Sequence, residues 1–444
     1  MDDVPSNSLR IETMGEFHAM KSAGNKFYAS DILYGRLRPY LNKIVVADLE
    51  GVASGEFIVM RARAGVEPRY LQLFMHSRHF VNLATSDTSG DRPRIDFDKI
   101  ADLEIPIAPT AEQRRIVARI DELFTEVADG EAVLTRARDD LDTWRRALLK
   151  AAVTGELTSK WRKLHHYRES SAEYVQRLSR ALNISRSPKT AVAQADHFDP
   201  VPLPESWTLA EIEDIFRVAT GATPKRGNPR YYSGGTFPWV TSTVVNEPIV
   251  LTADQFITKA AIEETNAKVF PQGTILVAMY GEGKTRGKAT ELGIAAATNQ
   301  ACAALLQPDN DPALKSYVKY WFEYNYLELR KRAAGGVQPN LNLEIIKHLR
   351  IPIPPPDEMA TIVSQLSDEF GDAVATSHEL GEARNAAGGL RQSLLKAAFQ
   401  GRLIEQESHD EPAYRLLVRL SELDDTAIRP RGARRQRGAT LAAE

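Results

Sequence analysis

Ile-Pro-Ile-Ala-Pro-Thr-Ala-Glu-Gln begins at Ile105, and Ile-Pro-Ile-Pro-Pro-Pro-Asp-Glu-Met begins at Ile351. Leu-Leu-Lys-Ala-Ala-Val-Thr-Gly-Glu-Leu begins at Leu148, and Leu-Leu-Lys-Ala-Ala-Phe-Gln-Gly-Arg-Leu begins at Leu394. Both pairs are offset by 246 positions (351 against 105, 394 against 148), with no insertion or deletion between them. Residues 105–157 are therefore present twice, and a repeat of this length decides the architecture.

The repeated element reads as a long helix. Each copy follows a proline block, with Thr110 or Asp357 placed to cap it. Small or apolar residues then recur in steps of four and three: Ile116, Ile120, Leu123, Val127, Gly130, Leu134, Ala137, Leu141, Trp144, Leu148, Ala151. The second copy gives Ile362, Leu366, Glu369, Ala373, Thr376, Leu380, Ala383, Ala387, Leu390, Leu394, Ala397, with Phe370 standing in for Glu369. This is a coiled-coil seam. About 40 residues per helix give roughly 60 Å. Gly155 and Gly401 end both copies alike, as helix-terminating glycines do. An antiparallel pair is expected, because each helix follows its own globular segment; two separate surface helices are the plainer alternative.

Composition sets the bounds. A chain of 444 residues suffices for two or three domains, and 43% hydrophobic content is ordinary for a soluble protein. No apolar run is long enough to span a membrane, and the opening Met-Asp-Asp-Val-Pro is no signal peptide. One cysteine, Cys302, excludes a disulfide framework and a cysteine-rich zinc site, and a cytoplasmic location fits. The net charge of −3 is not that of a generic nucleic-acid binder, yet cations cluster locally: Lys225, Arg226 and Arg230; Lys284, Arg286 and Lys288; Arg330, Lys331 and Arg332.

Before each long helix lies a mixed globular segment, and the two segments match. Residues 30–39 read as a turn, a strand and a basic loop; further strands are expected over 56–61, 274–279 and 295–305, and helices over 70–82, 172–182 and 317–326. Asp31-Ile-Leu answers Thr274-Ile-Leu, and Ser89-Gly-Asp-Arg-Pro-Arg-Ile answers Gly335-Gly-Val-Gln-Pro-Asn-Leu. Glu411-Pro-Ala-Tyr-Arg-Leu-Leu echoes the helix that begins near Ala172. The fold class is α+β: two mixed α/β domains and two long antiparallel coiled-coil helices, in tandem duplication. The expected divisions are 1–104, first domain; 105–185, first long helix and tail; 186–202, linker; 203–350, second domain; 351–425, second helix and tail; 426–444, a basic tail expected to be disordered. The duplication is incomplete. Residues 203–243 have no counterpart in the first half, so the first domain is expected to lack its opening 40 or so residues and the assigned start to be internal to a longer gene.

Few motifs point to catalysis. Gly281-Glu-Gly-Lys-Thr285 follows a strand and looks like the end of a phosphate-binding loop, but the required earlier glycine is missing and a strand, not a helix, is expected next. A nucleotide hydrolase built on it is the weaker reading. His76 and His79 have helical spacing but no third ligand nearby in sequence. No nucleophile elbow, methyltransferase motif or paired carboxylates are visible. The run from Gly221 to Trp239 carries three cations, two tyrosines and turn residues, and such a loop can place cations on phosphates and polar groups on base edges.

With Leu203-Pro-Glu-Ser-Trp207 near a domain start, Gly221-Ala-Thr-Pro224 and Asn228, Pro229, Tyr231 and Pro238-Trp239 after it, Gly273-Thr-Ile-Leu276, and the two repeated blocks, the chain resembles the specificity subunit of type I restriction–modification enzymes over nearly its whole length. The resemblance implies two target recognition domains, each reading half of a split, asymmetric DNA site. It implies that the helices act as spacer and as docking surface for two modification subunits. S-adenosylmethionine, ATP and magnesium would serve those and the restriction subunits, with no cofactor, metal or catalytic residue in this chain. Candidate DNA contacts in the second domain are Thr223, Lys225, Arg226, Asn228, Arg230, Tyr231, Tyr280, Lys284, Thr285, Arg286, Lys288 and Gln338. In the first domain they are Tyr34, Arg36, Arg38, Arg92 and Arg94. Candidate docking positions are Ile116, Ile120, Leu134, Leu141, Leu148, Ile362, Leu366, Leu380 and Leu394. A protein-only coiled-coil adapter is the other alternative. The DNA sequence read is not legible, since base preference depends on loop geometry.

Overall fold

The computed structural model describes residues 4–11, 24–86, 92–101, 103–183, 202–281, 285–334 and 340–427. The first half runs β1 (Gly24–Phe27), β2 (Ile32–Gly35), β3 (Ile44–Val46), β4 (Gly51–Ser54), β5 (Phe57–Met60), α1 (Pro68–His76), α2 (Arg78–Ser86), α3 (Phe97–Ala101) and the long helix α4 (Thr110–Val153). There follow α5 (Ser159–Leu164), α6 (Ser171–Ala181), β6 (Thr208–Glu211), α7 (Ile212–Ile215), β7 (Arg217–Thr220), β8 (Phe237–Val240), β9 (Ile249–Val250), β10 (Gln255–Ile257), α8 (Lys259–Glu264) and β11 (Val269–Phe270). The chain closes with β12 (Ile275–Ala278), β13 (Ala289–Leu292), β14 (Ala296–Thr298), β15 (Cys302–Leu306), α9 (Pro312–Tyr324), α10 (Tyr326–Ala334), α11 (Leu343–Lys347), β16 (Arg350–Ile353), the second long helix α12 (Pro356–Phe399) and α13 (Ala413–Ala427). It divides into two compact units: unit 1 is Met1–Arg136 with Leu380–Glu444, and unit 2 is Ala137–Glu379.

Both long helices are continuous over 44 residues, roughly 66 Å each at 1.5 Å per residue. Gly155 and Gly401 end them in the left-handed region, at φ 79° and 66°, where a Cβ would be strained. In unit 1 the start of α4 (Ile116, Ile120) packs on the end of α12 (Leu395, Ala398). In unit 2 the end of α4 (Leu149, Ala152) shares a core with the start of α12 (Ile362, Leu366, Phe370). Each pairing is the one antiparallel helices make. Phe370 is buried and Glu369 exposed, as the pattern anticipates. The expected caps differ: Thr110 is itself the first helical residue and donates its hydroxyl to Gly65 O at 2.7 Å. Asp357 lies within the first turn of α12 and accepts the Arg168 N–H at 3.1 Å.

Two further expectations change. The helix expected over residues 70–82 breaks at Ser77, which is extended (ψ 148°) and takes the Phe80 N–H on its hydroxyl, capping α2. The strand expected over 295–305 is two strands in different sheets, because Asn299 accepts the Ala301 N–H with its side chain and turns the chain.

The duplication holds at the level of hydrogen bonds. In unit 1 the antiparallel sheet β3-β2-β5 has the register Ile32↔Met60; in unit 2 β13-β12-β15 has Ile275↔Leu305. Tyr70 donates to Pro106 O at 2.8 Å and Tyr317 to Pro352 O at 2.7 Å. The core of Phe27, Leu33 and Ala47 in unit 1 answers Phe270, Leu276 and Leu292 in unit 2. Glu169–Arg177 beside α6 answers Glu411–Arg419 beside α13. Unit 2 then adds strands: β7 on β15, β9 on β13, β8 on β14, β10 on β8, and β6 on β16.

Candidate nucleic-acid interface

In unit 2 the cation-bearing loop leaves β7 at Gly221, where a Cβ would lie 1.8 Å from Thr298 O, so only glycine fits. The loop is tied down from inside. Trp239 donates its indole N–H to Ala222 O at 3.2 Å, Tyr232 its hydroxyl to Pro224 O at 2.6 Å, and Thr223 its hydroxyl to Gln300 Oε1 at 2.7 Å. Asn228 accepts the Arg230 N–H at 3.1 Å, and Tyr231 packs half-buried beside Trp239 and Ile257. Thr223, Asn228 and Tyr231 thus shape the loop. Arg230 pairs with Glu264. Lys225 and Arg226 remain exposed at the tip and form no ion pair among the described residues. A rigid loop presenting two unneutralised cations suits phosphate contact, because little side-chain order is lost elsewhere.

The β12–β13 hairpin supplies the second group. Tyr280 is 37% exposed, and Lys288 donates to Asn246 Oδ1 at 2.8 Å. Thr285 and Arg286 are half-buried beside it. Lys284 and Gln338 lie outside the described residues. The strand after Thr285 is β13, antiparallel to β12, so the hairpin lacks the helix whose N-terminus a phosphate-binding loop requires.

In unit 1 the structure brings the four arginines together. Arg38 N–H donates to Pro93 O at 2.8 Å, Ile95 N–H donates to Arg36 O at 3.0 Å, and Leu37 bridges Arg94. Two segments more than fifty residues apart in sequence thus lie side by side. The same crossing occurs in unit 2, where Leu341 N–H donates to Met279 O at 3.1 Å. Arg36 pairs with Asp96 and Arg94 with Glu56, whereas Arg38 and Arg92 are exposed and form no ion pair among the described residues. Tyr34 must be removed from the candidate set. It is 0% exposed, edge-on to Phe80, and its hydroxyl has no hydrogen-bond partner among the described residues. Burial alone holds that phenol well above its usual pKa. On an alternating strand it faces the core, not the solvent.

The candidate docking residues need the same correction. Ile116, Ile120, Ile362 and Leu366 are at most 2% exposed and belong to the chain's own cores. Leu134, Leu141, Leu148, Leu380 and Leu394 are only half-buried. At the ends of α4 and α12 the fully buried positions are Leu149 and Leu395, one residue beyond the expected Leu148 and Leu394. Large apolar side chains that the long helices do present are Val133 (54% exposed), Trp144 (37%), Val374 (65%) and Leu390 (47%), none on the expected docking list. Trp144 and Leu390 lie on the expected seam, whereas Val133 and Val374 lie off it.

His76 ends α1 and His79 lies in α2, so helical spacing does not join them. His76 is buried, with Nδ1 3.0 Å from Asn42 Nδ2, and its pKa is lowered to about 4, first by burial and then by Arg69 and Arg391. Glu211, Glu213 and His348 approach one another, but Glu211 already meets His348 at 2.9 Å and Arg350 at 3.8 Å.

The structure thus presents duplicated α/β domains with exposed cations on tied loops. Residues 204–379 match the family model of the type I restriction modification DNA specificity domain. The type I restriction enzyme EcoDI specificity subunit of Escherichia coli is 28% identical over 142 residues, 32% of this chain and 32% of that protein. The MjaIX specificity subunit of Methanocaldococcus jannaschii is 28% identical over 188 residues, 40% of this chain and 41% of its own length. These two matches thus span well under two thirds of either relative. The StySPI specificity subunit of Salmonella potsdam is 23% identical over 363 residues, 80% of this chain and 69% of that one. Among solved structures, a chain from a study of assembly and conformational transition of the type I R-M system matches at TM-score 0.71 and 20% identity, covering 90% of both chains. The HsdS subunit of Thermoanaerobacter tengcongensis matches at TM-score 0.53 and 21% identity, covering 90% of this chain and 89% of that one. Residues 204–379 are thus similar in sequence to the type I restriction modification DNA specificity domain, and the fold of the chain is similar to those of the two solved chains.

Proposed function

We propose that this chain is the DNA-recognition subunit of a type I restriction–modification complex and that it performs no chemistry itself. Its two recognition domains read the two parts of a bipartite, asymmetric site on double-stranded DNA. The long helices dock two modification subunits, and restriction subunits join the complex. S-adenosylmethionine, ATP and magnesium act in those partners. The observation that carries this reading is the repetition of one domain-plus-helix unit, with two exposed cations in each half that form no ion pair among the described residues: Lys225 and Arg226 on one loop, Arg38 and Arg92 on two adjoining segments. Two such groups suit two successive contacts on a phosphate backbone.

The test is methylome sequencing of a host carrying this chain with its modification subunit. A two-part adenine motif with a fixed spacer is the expected result. The fourfold Ala variant of Lys225, Arg226, Arg38 and Arg92 should methylate those sites far more slowly. Unchanged sites and rates would overturn the assignment of these residues, and absence of salt-dependent DNA binding by the assembled complex would leave the chain a protein-only adapter.

A further inference from the structure

Gln300 stands where four strands of unit 2 end together. Strands β8 and β14 run parallel in the register Thr298↔Val240, and the Asn299 N–H donates to Val240 O at 3.2 Å. Strand β7 ends against the same place, since Gly221 packs on Thr298 O. Met279, just past β12, donates its N–H to Ala301 O at 2.8 Å. The Asn299 side chain accepts the Ala301 N–H at 3.1 Å. The backbone on both sides of Gln300 is therefore fixed by hydrogen bonds, while its side chain is exposed.

The amide of this side chain is held as well. Thr223 donates its hydroxyl to Gln300 Oε1 at 2.7 Å, and no other hydrogen bond to the amide is made among the described residues. One Oε1 lone pair and both Nε2 hydrogens are left for a ligand. The surroundings are cationic. The loop that carries Thr223 also carries Lys225 and Arg226, and the hairpin that begins at Met279 carries Arg286 and Lys288. Cations suit phosphates, which hold no sequence information, whereas a neutral acceptor beside a donor suits the edge of a base. Unit 1 is built otherwise at this position. The pairing Phe27↔Gly51 answers Phe270↔Ala296, so the residue in the place of Gln300 is Gly55, which has no side chain.

We propose that Gln300 reads one adenine in the major groove of the half-site met by unit 2, and that Thr223 is the residue that positions its amide; this rests on the DNA-recognition reading above. Nε2 donates to adenine N7, and Oε1 accepts from the N6 amino group. Only adenine presents an acceptor beside a donor on that edge. Guanine offers two acceptors, cytosine a donor, and thymine an acceptor beside a methyl group. An amide already held by Thr223 loses little freedom on binding, so more of the energy of the two hydrogen bonds goes into discrimination. With Gly55 at the matching position, unit 1 has no such reader, and the adenine belongs to one half-site alone.

The test uses the full chain in complex with its modification subunit. Methylome sequencing with Gln300→Ala should return the wild-type motif with one A·T position of one half-site relaxed and every other position kept. Discrimination against the other bases there should fall by about 5- to 150-fold. The salt slope of binding should stay as it is, because no cation is removed. Thr223→Val should relax the same position by less, and Thr223→Ser should restore it. An oligonucleotide with 7-deazaadenine at that position lacks N7. It should weaken binding by the wild-type complex and add nothing to the loss from Gln300→Ala, as two changes to one contact do. Relaxation at no position, relaxation spread over several, or equal losses from 7-deazaadenine in both complexes would overturn the proposal. The DNA-recognition reading would survive that result if Lys225→Ala still lowered the salt slope. A wild-type complex without salt-dependent DNA binding would overturn both.

Discussion

The two units of this chain carry one design with different numbers of described strands. In unit 2 strand β15 is paired on both edges, and Ile351 and Ile353 are fully buried beside β6. In unit 1 the equivalent β5 is paired on one edge among the described residues, and Ile105 and Ile107 are half-buried. What they share is equally instructive. The three-stranded sheet, the helix whose tyrosine anchors the proline block, and the crossing that gathers the candidate contacts are present in both. A small sheet with one helix against it thus suffices to place the loops, and the extra strands serve mainly to close the core, since a buried apolar face is stable only when both sides are covered.

The largest effect should come from residues 207–220 of unit 2. Phe216→Ala removes a side chain 1% exposed at the centre of the unit 2 core, and should cost about 3–5 kcal/mol in denaturant unfolding followed by a unit 2 probe. A loss under about 1 kcal/mol would mean that residues 207–220 decorate the domain and do not complete it.

Acid should distinguish the units next. His76 has its pKa lowered to about 4 in the folded protein, against about 6.5 unfolded. Below pH 6.5 the unfolded chain takes up a proton that the folded chain refuses, so unit 1 loses stability as pH falls from 6.5 to 4. The loss approaches about 3 kcal/mol below pH 4, at about 1.36 kcal/mol per pH unit. His76→Gln should flatten that limb. If the histidine's NMR titration midpoint lies near 6.5, the contrast disappears.

DNA binding gives a smaller and more even comparison. Each of Lys225→Ala, Arg226→Ala, Arg38→Ala and Arg92→Ala should lower the salt slope of binding by about one if the cation meets a phosphate. A residue that reads a base should cost about 1–3 kcal/mol at one position of the site. Equivalent losses from the two pairs would show that both units contact DNA; an effect confined to Lys225 and Arg226 would show that only unit 2 does.

The smallest effect separates α6 from α13. Leu417→Ala should change stability by no more than about 0.5 kcal/mol, as surface substitutions do, whereas Leu178→Ala, fully buried in the corresponding helix, should cost about 2–5 kcal/mol. Matching losses measured by urea unfolding would mean that Leu417 is covered in solution.

The sequence by itself determined the duplication, the two long helices and their glycine ends, and the swap of Phe370 for Glu369. These are legible because helical periodicity and repeated blocks are local: each residue's part is set by neighbours three or four positions away. Motifs in a fixed order also brought out the resemblance that residues 204–379 share with the specificity domain. Only the tertiary structure decided that Tyr34 is core, that Arg36, Arg94 and Arg230 are neutralised by Asp96, Glu56 and Glu264, and that Leu149 and Leu395 are buried in place of Leu148 and Leu394. Those outcomes hang on partners 34 to 60 residues away or on a helix's rotation against its neighbours. Composition cannot distinguish a paired arginine from a free one, because the carboxylate that neutralises it is brought in by folding. Which strand edges stay open is fixed in the same way, by pairing across the fold and not by the strand's own residues.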